Sequence, residues 1–141
     1  MPVFFHSEKI DFSLERRRAY KSWIKTIVSF YGKKVGEVNI IFTSNEYILS
    51  INQKFLNHNY FTDVITFAYN DKDIVAGDIF VSIDQVRING EEFRVTFENE
   101  LSRVMIHGVL HLLGNNDNSE KEKEEMRLKE DHALKLFNKG R

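Results

Sequence analysis

The stretch VMIHGVLHLLGNND, residues 104–117, decides how the rest of the chain is read. Up to Leu113 it is apolar on nearly every side, and a helix apolar all round is a buried one. Thr96 stands where a cap would start that helix, so the spacing predicts a central helix from Phe97 to Leu113. Gly114 can take a left-handed conformation and end it. Within the helix, His107 and His111 lie four residues apart, which puts their Cβ atoms on one face at about 5–6 Å. Two imidazoles so placed can converge on one ion. Asp117, three residues beyond the glycine, can swing back to join them. Three protein ligands and a water form the pattern of an open zinc site. The alternative is a pair of core histidines satisfied by ordinary hydrogen bonds. Burial favours the metal, because two neutral rings in a dry core need partners for their nitrogens.

The same stretch excludes one function. Zinc peptidases of the His-Glu-x-x-His type need a glutamate after the first histidine as general base. Here that position is Gly108.

Working outward, Val3 to His6 reads as a short strand. Ser13 is a candidate cap for a helix to about Tyr31, with Leu14, Trp23, Ile24, Ile27, Val28 and Tyr31 on its apolar face and Gly32 as its stop. EVNIIF (37–42) is a β-branched strand. Thr43 or Ser44 can cap a helix through Phe55. VITFAY (64–69) and DIFVSI (78–83) are two more strands, the second entered from a loop at Gly77. Asp84 is a candidate cap for a short helix to about Glu92. Asn118 or Ser119 starts a last helix with an acidic first turn at Glu120 and Glu122, which suits the helix dipole. Its inner stripe is Met126, Ala133, Leu134 and Phe137. These elements predict an α+β fold, a small single domain over residues 1–141. About four strands form a mixed sheet packed against helices, with the metal site at the end of the buried central helix. The pattern leaves two layers or three open.

With 141 residues, 42% of them hydrophobic and 29% charged, the composition is that of an ordinary globular chain. The net charge of −1 announces no nucleic-acid binder, so any phosphate contact needs a local basic patch. There is no cysteine, so a zinc site must use His, Asp, Glu and water. No apolar run is long enough to span a membrane, and the N-terminus lacks the pattern of a signal peptide. A cytoplasmic protein with no membrane partner is the expectation.

HGVLHLLG resembles the signature of the YbeY family of bacterial metal-dependent endoribonucleases, His-Gly-x-Leu-His-Leu-x-Gly-x-Asp-His. His107, Gly108, Leu110, His111, Leu112 and Gly114 match it position by position. LNHNYFTDVITF (56–67) is similar to the family's Leu-Asn … Thr-Asp-Val-Leu-Ser-Phe block, and GDIFVSI (77–83) to its Gly-Asp-Ile strand. The resemblance covers most of the chain from residue 37 onward. It implies one zinc ion per chain and cleavage of phosphodiesters in single-stranded or ribosomal RNA, with the small ribosomal subunit as a partner and no DNA. It implies roles in maturing the 3′ end of 16S ribosomal RNA and in ribosome quality control.

Two positions depart from the family pattern. The family's third histidine falls on Asp117, and the aspartate before it on Asn116. A carboxylate is a competent zinc ligand, so His107, His111 and Asp117 remain the expected metal set, with Asn118 a weaker rival for the third place. The arginine that relatives often carry in the first block is missing. Lys54, Arg87 or Arg103 could supply a cation instead. Asn57, Thr62 and Asp63, just before a strand, are candidates for substrate contact, with turn formation as the plainer role. Tyr60 and Phe61 could stack on bases. Arg17 and Lys21, with Lys25, share one face of the first helix and could follow phosphates, although such a run is often a solvated face. His6, His58 and His132 have no partner at ligand spacing. Two alternatives stay open: a ribosome-associated factor whose zinc is only structural, and a metal-dependent hydrolase of another substrate.

Overall fold

The computed structural model describes residues 2–55 and 62–139. Its elements run β1 (Val3–Ser7), α1 (Arg17–Phe30), β2 (Lys34–Thr43), α2 (Asn45–Phe55), β3 (Val64–Ala68), β4 (Ile74–Ser82), α3 (Ile83–Phe93), α4 (Phe97–Leu112) and α5 (Glu120–Lys139). The strands form one mixed sheet in the order β1-β2-β4-β3. β1, β2 and β4 are parallel, and β3 pairs antiparallel with β4 at the edge. The predicted α+β class and the four strands stand.

Alternation along the strands sorts the two faces. Val38, Ile40 and Phe42 of β2 and Ile79 and Val81 of β4 point into the main core, where they meet α1, α3, α4 and α5. The opposite face of β3 and β4 carries Ile65, Phe67 and Phe80, which α2 covers with Ile48 and Ile51. The protein therefore has three layers where α2 lies over the sheet.

α4 is the centre of the main core. Leu101, Met105, Ile106, Val109, Leu110 and Leu112 are each at most 2% exposed. Burying a Leu, Ile or Met side chain contributes about 1.5–3 kcal/mol, so this helix anchors the domain. Two glycines let it lie close on the sheet. A Cβ on Gly108 would fall 2.6 Å from Ile79 Cγ2, and a Cβ on Gly77 would fall 2.8 Å from Leu112 Cδ2 and strike the Phe67 carbonyl. Gly77 is thus not a loop residue before the strand. It lies inside β4, at a point of close backbone approach.

The caps follow local chemistry. Thr96 Oγ1 accepts from the Asn99 amide, as expected for the start of α4. Ser44 Oγ accepts from Tyr47 N, and the Ser119 hydroxyl accepts from Glu122 N while the Glu122 carboxylate accepts from Ser119 N. The latter pair is a capping box. Two expected caps fail. α3 is capped by the Ser82 hydroxyl, which accepts from Gln85 N, while Asp84 accepts from the Asn45 amide at the start of α2. Ser13 caps nothing: α1 begins at Arg17 behind a left-handed Arg16. Ile10, Phe12 and Leu14 alternate inward with exposed Asp11, Ser13 and Glu15. A period of two keeps this segment extended, so Leu14 reaches the core ahead of the helix.

Candidate metal centre

The end of α4 is a Schellman turn. Gly114, at φ +98°, occupies the position after the Leu113 cap. Its N–H donates to the His111 carbonyl, and the Asn115 N–H donates to the Leu110 carbonyl, each at 3.0 Å. This turn orients His111 directly, because the Asn115 carbonyl accepts from His111 Nδ1 at 2.9 Å. It also reverses the chain so that Asp117 returns to the histidine face.

The geometry there is convergent. His107 Nε2 and His111 Nε2 are 2.9 Å apart, and Asp117 Oδ2 lies 3.3 Å from the first and 3.5 Å from the second. Ligand atoms at about 2.0–2.1 Å from a tetrahedral ion are separated by about 3.3 Å, so the three atoms fit one ion. Among the described residues, this is the one group of three or more His, Cys, Asp or Glu side chains with ligand atoms so placed.

Proton bookkeeping sharpens the fit. His107 Nδ1 donates to Glu130 Oε2 at 2.5 Å, and a carboxylate can only accept there. His111 Nδ1 donates to a carbonyl, which also only accepts. In neutral rings both protons are therefore spent on Nδ1, and both Nε2 atoms present lone pairs to each other and to Asp117 Oδ2. Three electron pairs meeting at this distance need a positive charge among them, either a proton or a metal ion. Burial opposes a charge on the His107 ring, but the Glu130 carboxylate outweighs it and raises the pKa above the ordinary histidine value, with Asp63 and Asp117 adding to the rise.

Glu130 is the residue that sequence reasoning missed. It projects from α5 and is only 5% exposed. Its other oxygen accepts from Arg103 Nη1 at 2.9 Å, and Arg103 Nη2 donates to Asp131 Oδ1 at 2.7 Å. The signal was present. Met126, Glu130, Ala133, Leu134 and Phe137 follow helical spacing, so one carboxylate interrupts an otherwise apolar stripe. A buried carboxylate requires a partner.

Beside the three convergent atoms lies a cavity of about 330 Å³, whose lining includes His107, Asp117, Asp63, Glu100 and Glu130. Asp63 Oδ2 accepts from Asn89 Nδ2 at 3.3 Å. Burial pushes the pKa values of both Asp63 and Glu100 up from the ordinary carboxylate value, and their proximity adds to the rise at Glu100. The structure thus brings Asp63 to the histidine site. Thr62 is half-buried beside it, outside the cavity lining. Arg17 and Lys21 lie on α1, away from this lining, and Arg17 Nε donates to the Leu14 carbonyl. Asn57, His58, Tyr60 and Phe61 fall outside the described residues. Of the three cations weighed as replacements for the missing arginine, Arg103 is engaged by two carboxylates. Lys54 sits over the Phe55 ring and Arg87 over the Phe97 ring.

Comparison with known proteins places the chain in a family. The family model described as Endoribonuclease YbeY matches residues 4–138. A Flavobacterium psychrophilum protein named Endoribonuclease YbeY is 47% identical over 129 residues, 92% of each chain. A Parabacteroides distasonis protein of the same name is 41% identical over 137 residues, covering 97% of this chain and 96% of its own. The solution structure of a Thermotoga maritima protein superposes with a TM-score of 0.65 at 30% identity, over 99% of this chain and 93% of that one. With its histidine helix and near full-length similarity to these relatives, the chain belongs to the YbeY endoribonuclease family.

Proposed function

We propose that residues 1–141 form a single metallo-hydrolase domain that acts as a zinc-dependent, single-strand-specific endoribonuclease. His107, His111 and Asp117 would hold one zinc ion. The observation that carries this reading is the meeting of three lone-pair-bearing atoms at the wall of a cavity, with both histidine Nδ1 protons already committed elsewhere. Two imidazoles and one carboxylate suit zinc. When bound, zinc supplies Lewis acidity: it makes a water more acidic and offsets charge developing on a phosphodiester.

The chain's own residues have distinct tasks. Glu130 and the Asn115 carbonyl hold the two rings in the ligating tautomer. Asp117 brings a negative charge where the family signature has histidine, and it would offset part of the charge that a bound ion supplies. Asp63, with its pKa raised by burial and lining the same cavity, is placed to exchange a proton with substrate or water. The relatives' shared name supports RNA as the substrate. Maturation of the 16S ribosomal RNA 3′ end and ribosome quality control, on the small subunit and in the cytoplasm, are the roles proposed for it. Among the described residues, no helix is long and apolar enough to cross a membrane.

A purely structural zinc would want a fourth protein ligand. Among the described residues no fourth His, Cys, Asp or Glu joins the set, and this favours the open, catalytic reading. Metal analysis should find about one zinc per chain by the three-ligand logic. His111→Ala and Asp117→Ala should each lose it. Purified protein should cleave an unstructured RNA ending in precursor 16S sequence, and cleavage should stop on chelation and return with zinc. Zinc retained by His111→Ala, or cleavage indifferent to chelation, would overturn the assignment.

A further inference from the structure

The cavity beside the histidines has an acidic lining, with Asp63, Glu100, Asp117 and Glu130 all facing it. A polyanionic substrate entering there needs a cation to meet it. Two arginines line the cavity, and they are not equivalent. Arg103 is only 18% exposed at its side chain and is held by Glu130 and Asp131, so its charge is already spent. Arg127 is exposed on α5, and its guanidinium has no hydrogen-bond or ion-pair partner among the described residues. Its guanidinium is the available fork for a phosphate.

The same cavity carries an exposed aromatic ring. Phe93, the last residue of α3, is 58% exposed and makes no ring contact among the described residues. Its backbone is well fixed. Arg94 caps the helix in the left-handed region at φ 58°, with its N–H on the Glu91 carbonyl and the Val95 N–H on the Gly90 carbonyl. A phenyl ring that the core does not use, held at the mouth of an acidic cavity near one uncommitted arginine, has the makings of a base platform.

We infer that Phe93 and Arg127 form a nucleotide subsite: Phe93 stacks on an unpaired base next to the scissile linkage, and Arg127 holds a phosphate oxygen of the same strand. Single-strand preference follows from this pair, because a base inside a duplex is already stacked on both faces and cannot offer one to Phe93. Both residues are positioning residues, and the proposal rests on the ribonuclease reading above.

The test uses the zinc-loaded full chain and a fluorescent single-stranded 2′-O-methyl oligonucleotide of about 10 nucleotides, the length a single-strand groove accommodates. Binding is measured over a series of salt concentrations. Arg127→Ala should weaken binding about tenfold and reduce the log–log salt slope by about 0.7, the contribution of one phosphate contact on a single strand. Arg127→Lys should keep that slope. Phe93→Leu should weaken binding about tenfold with the slope unchanged, whereas Phe93→Trp should retain wild-type affinity. Zinc content should be unchanged in all four variants. Wild-type affinity and slope in Arg127→Ala, or wild-type affinity in Phe93→Leu, would overturn the subsite. A wild-type protein that neither binds nor cleaves RNA would instead bring down the ribonuclease reading on which it stands.

Discussion

At the scale of residues, the site depends on partners one step behind the ligands. His107 and His111 were legible in the sequence because their spacing is local: four residues on a helix put two rings on one face. Asp117 was legible because Gly114 forces the chain back. Glu130 was not, because it comes from another helix, and the stripe around it was read for its apolar members. Yet Glu130 decides which nitrogen of His107 carries the proton. Glu130→Gln keeps the size and can still hydrogen-bond, but it loses the charge that makes His107 Nε2 a strong donor to metal. Zinc affinity, measured by competition with a chromophoric chelator, should fall by about 10–100-fold, the usual cost of removing such a support. Arg103 should act through Glu130, so Arg103→Gln should show a smaller loss in the same direction, and no further loss when added to Glu130→Gln. Unchanged affinity in Glu130→Gln would mean that the Schellman turn alone orients the pair.

At the scale of elements, most of the helices and strands were legible, and the failures have separate causes. Serine and aspartate are good caps in isolation, but competition decides which is used: the Asn45 amide takes Asp84, and Ser82 caps α3. Leu14 fitted a helical stripe on paper, yet Ile10, Phe12 and Leu14 enter the core with period two, and the helix waits until Arg17. Gly77 is expected in a loop before the strand and is instead a place where α4 presses on the sheet. Gly108 has the same role one layer up. A methyl there would lie 2.6 Å from Ile79 Cγ2, so α4 must lift or Ile79 must leave its rotamer. Gly108→Ala gains about 1 kcal/mol of helix propensity and loses about 1–3 kcal/mol to overpacking. Net destabilisation of roughly 1 kcal/mol is expected by the same reckoning in urea unfolding of the zinc-free protein. Because the two histidines of the proposed ligand set stand on either side of this glycine, zinc affinity should fall as well. A Gly108→Ala protein as stable as wild type would show that the helix can move away from β4 without cost.

At the scale of the whole molecule, periodicity told which faces are buried but not what covers them, so the third layer, α2 over β3 and β4, emerged only from the fold. The placing of charge was hidden in the same way. A net charge of −1 conceals a cavity where Asp63, Glu100, Asp117 and Glu130 meet, drawn from positions far apart in the chain. Burial raises the pKa values of Asp63 and Glu100, and His107 is raised too. For all three the sign is the same. The native state binds the proton more tightly than the unfolded chain, so the stability it contributes is full below the unfolded pKa and is lost as pH rises through the folded one. The metal-free protein should therefore lose stability as pH climbs from about 4, the ordinary carboxylate range, toward neutrality. Zinc should stabilise it more at the upper end, where the proton on His107 no longer competes. Glu100 gives the cleanest test, being 4% exposed and not a ligand. Glu100→Gln removes a carboxylate that must ionise in a buried, acidic setting. In urea unfolding of chelated protein, the variant should be more stable than wild type near neutral pH. That advantage should shrink as pH falls to 4, because wild-type Glu100 is then protonated in the native state and mostly protonated in the unfolded chain. A wild-type and a variant curve that stay parallel across this range would place the cost of the acidic cavity elsewhere.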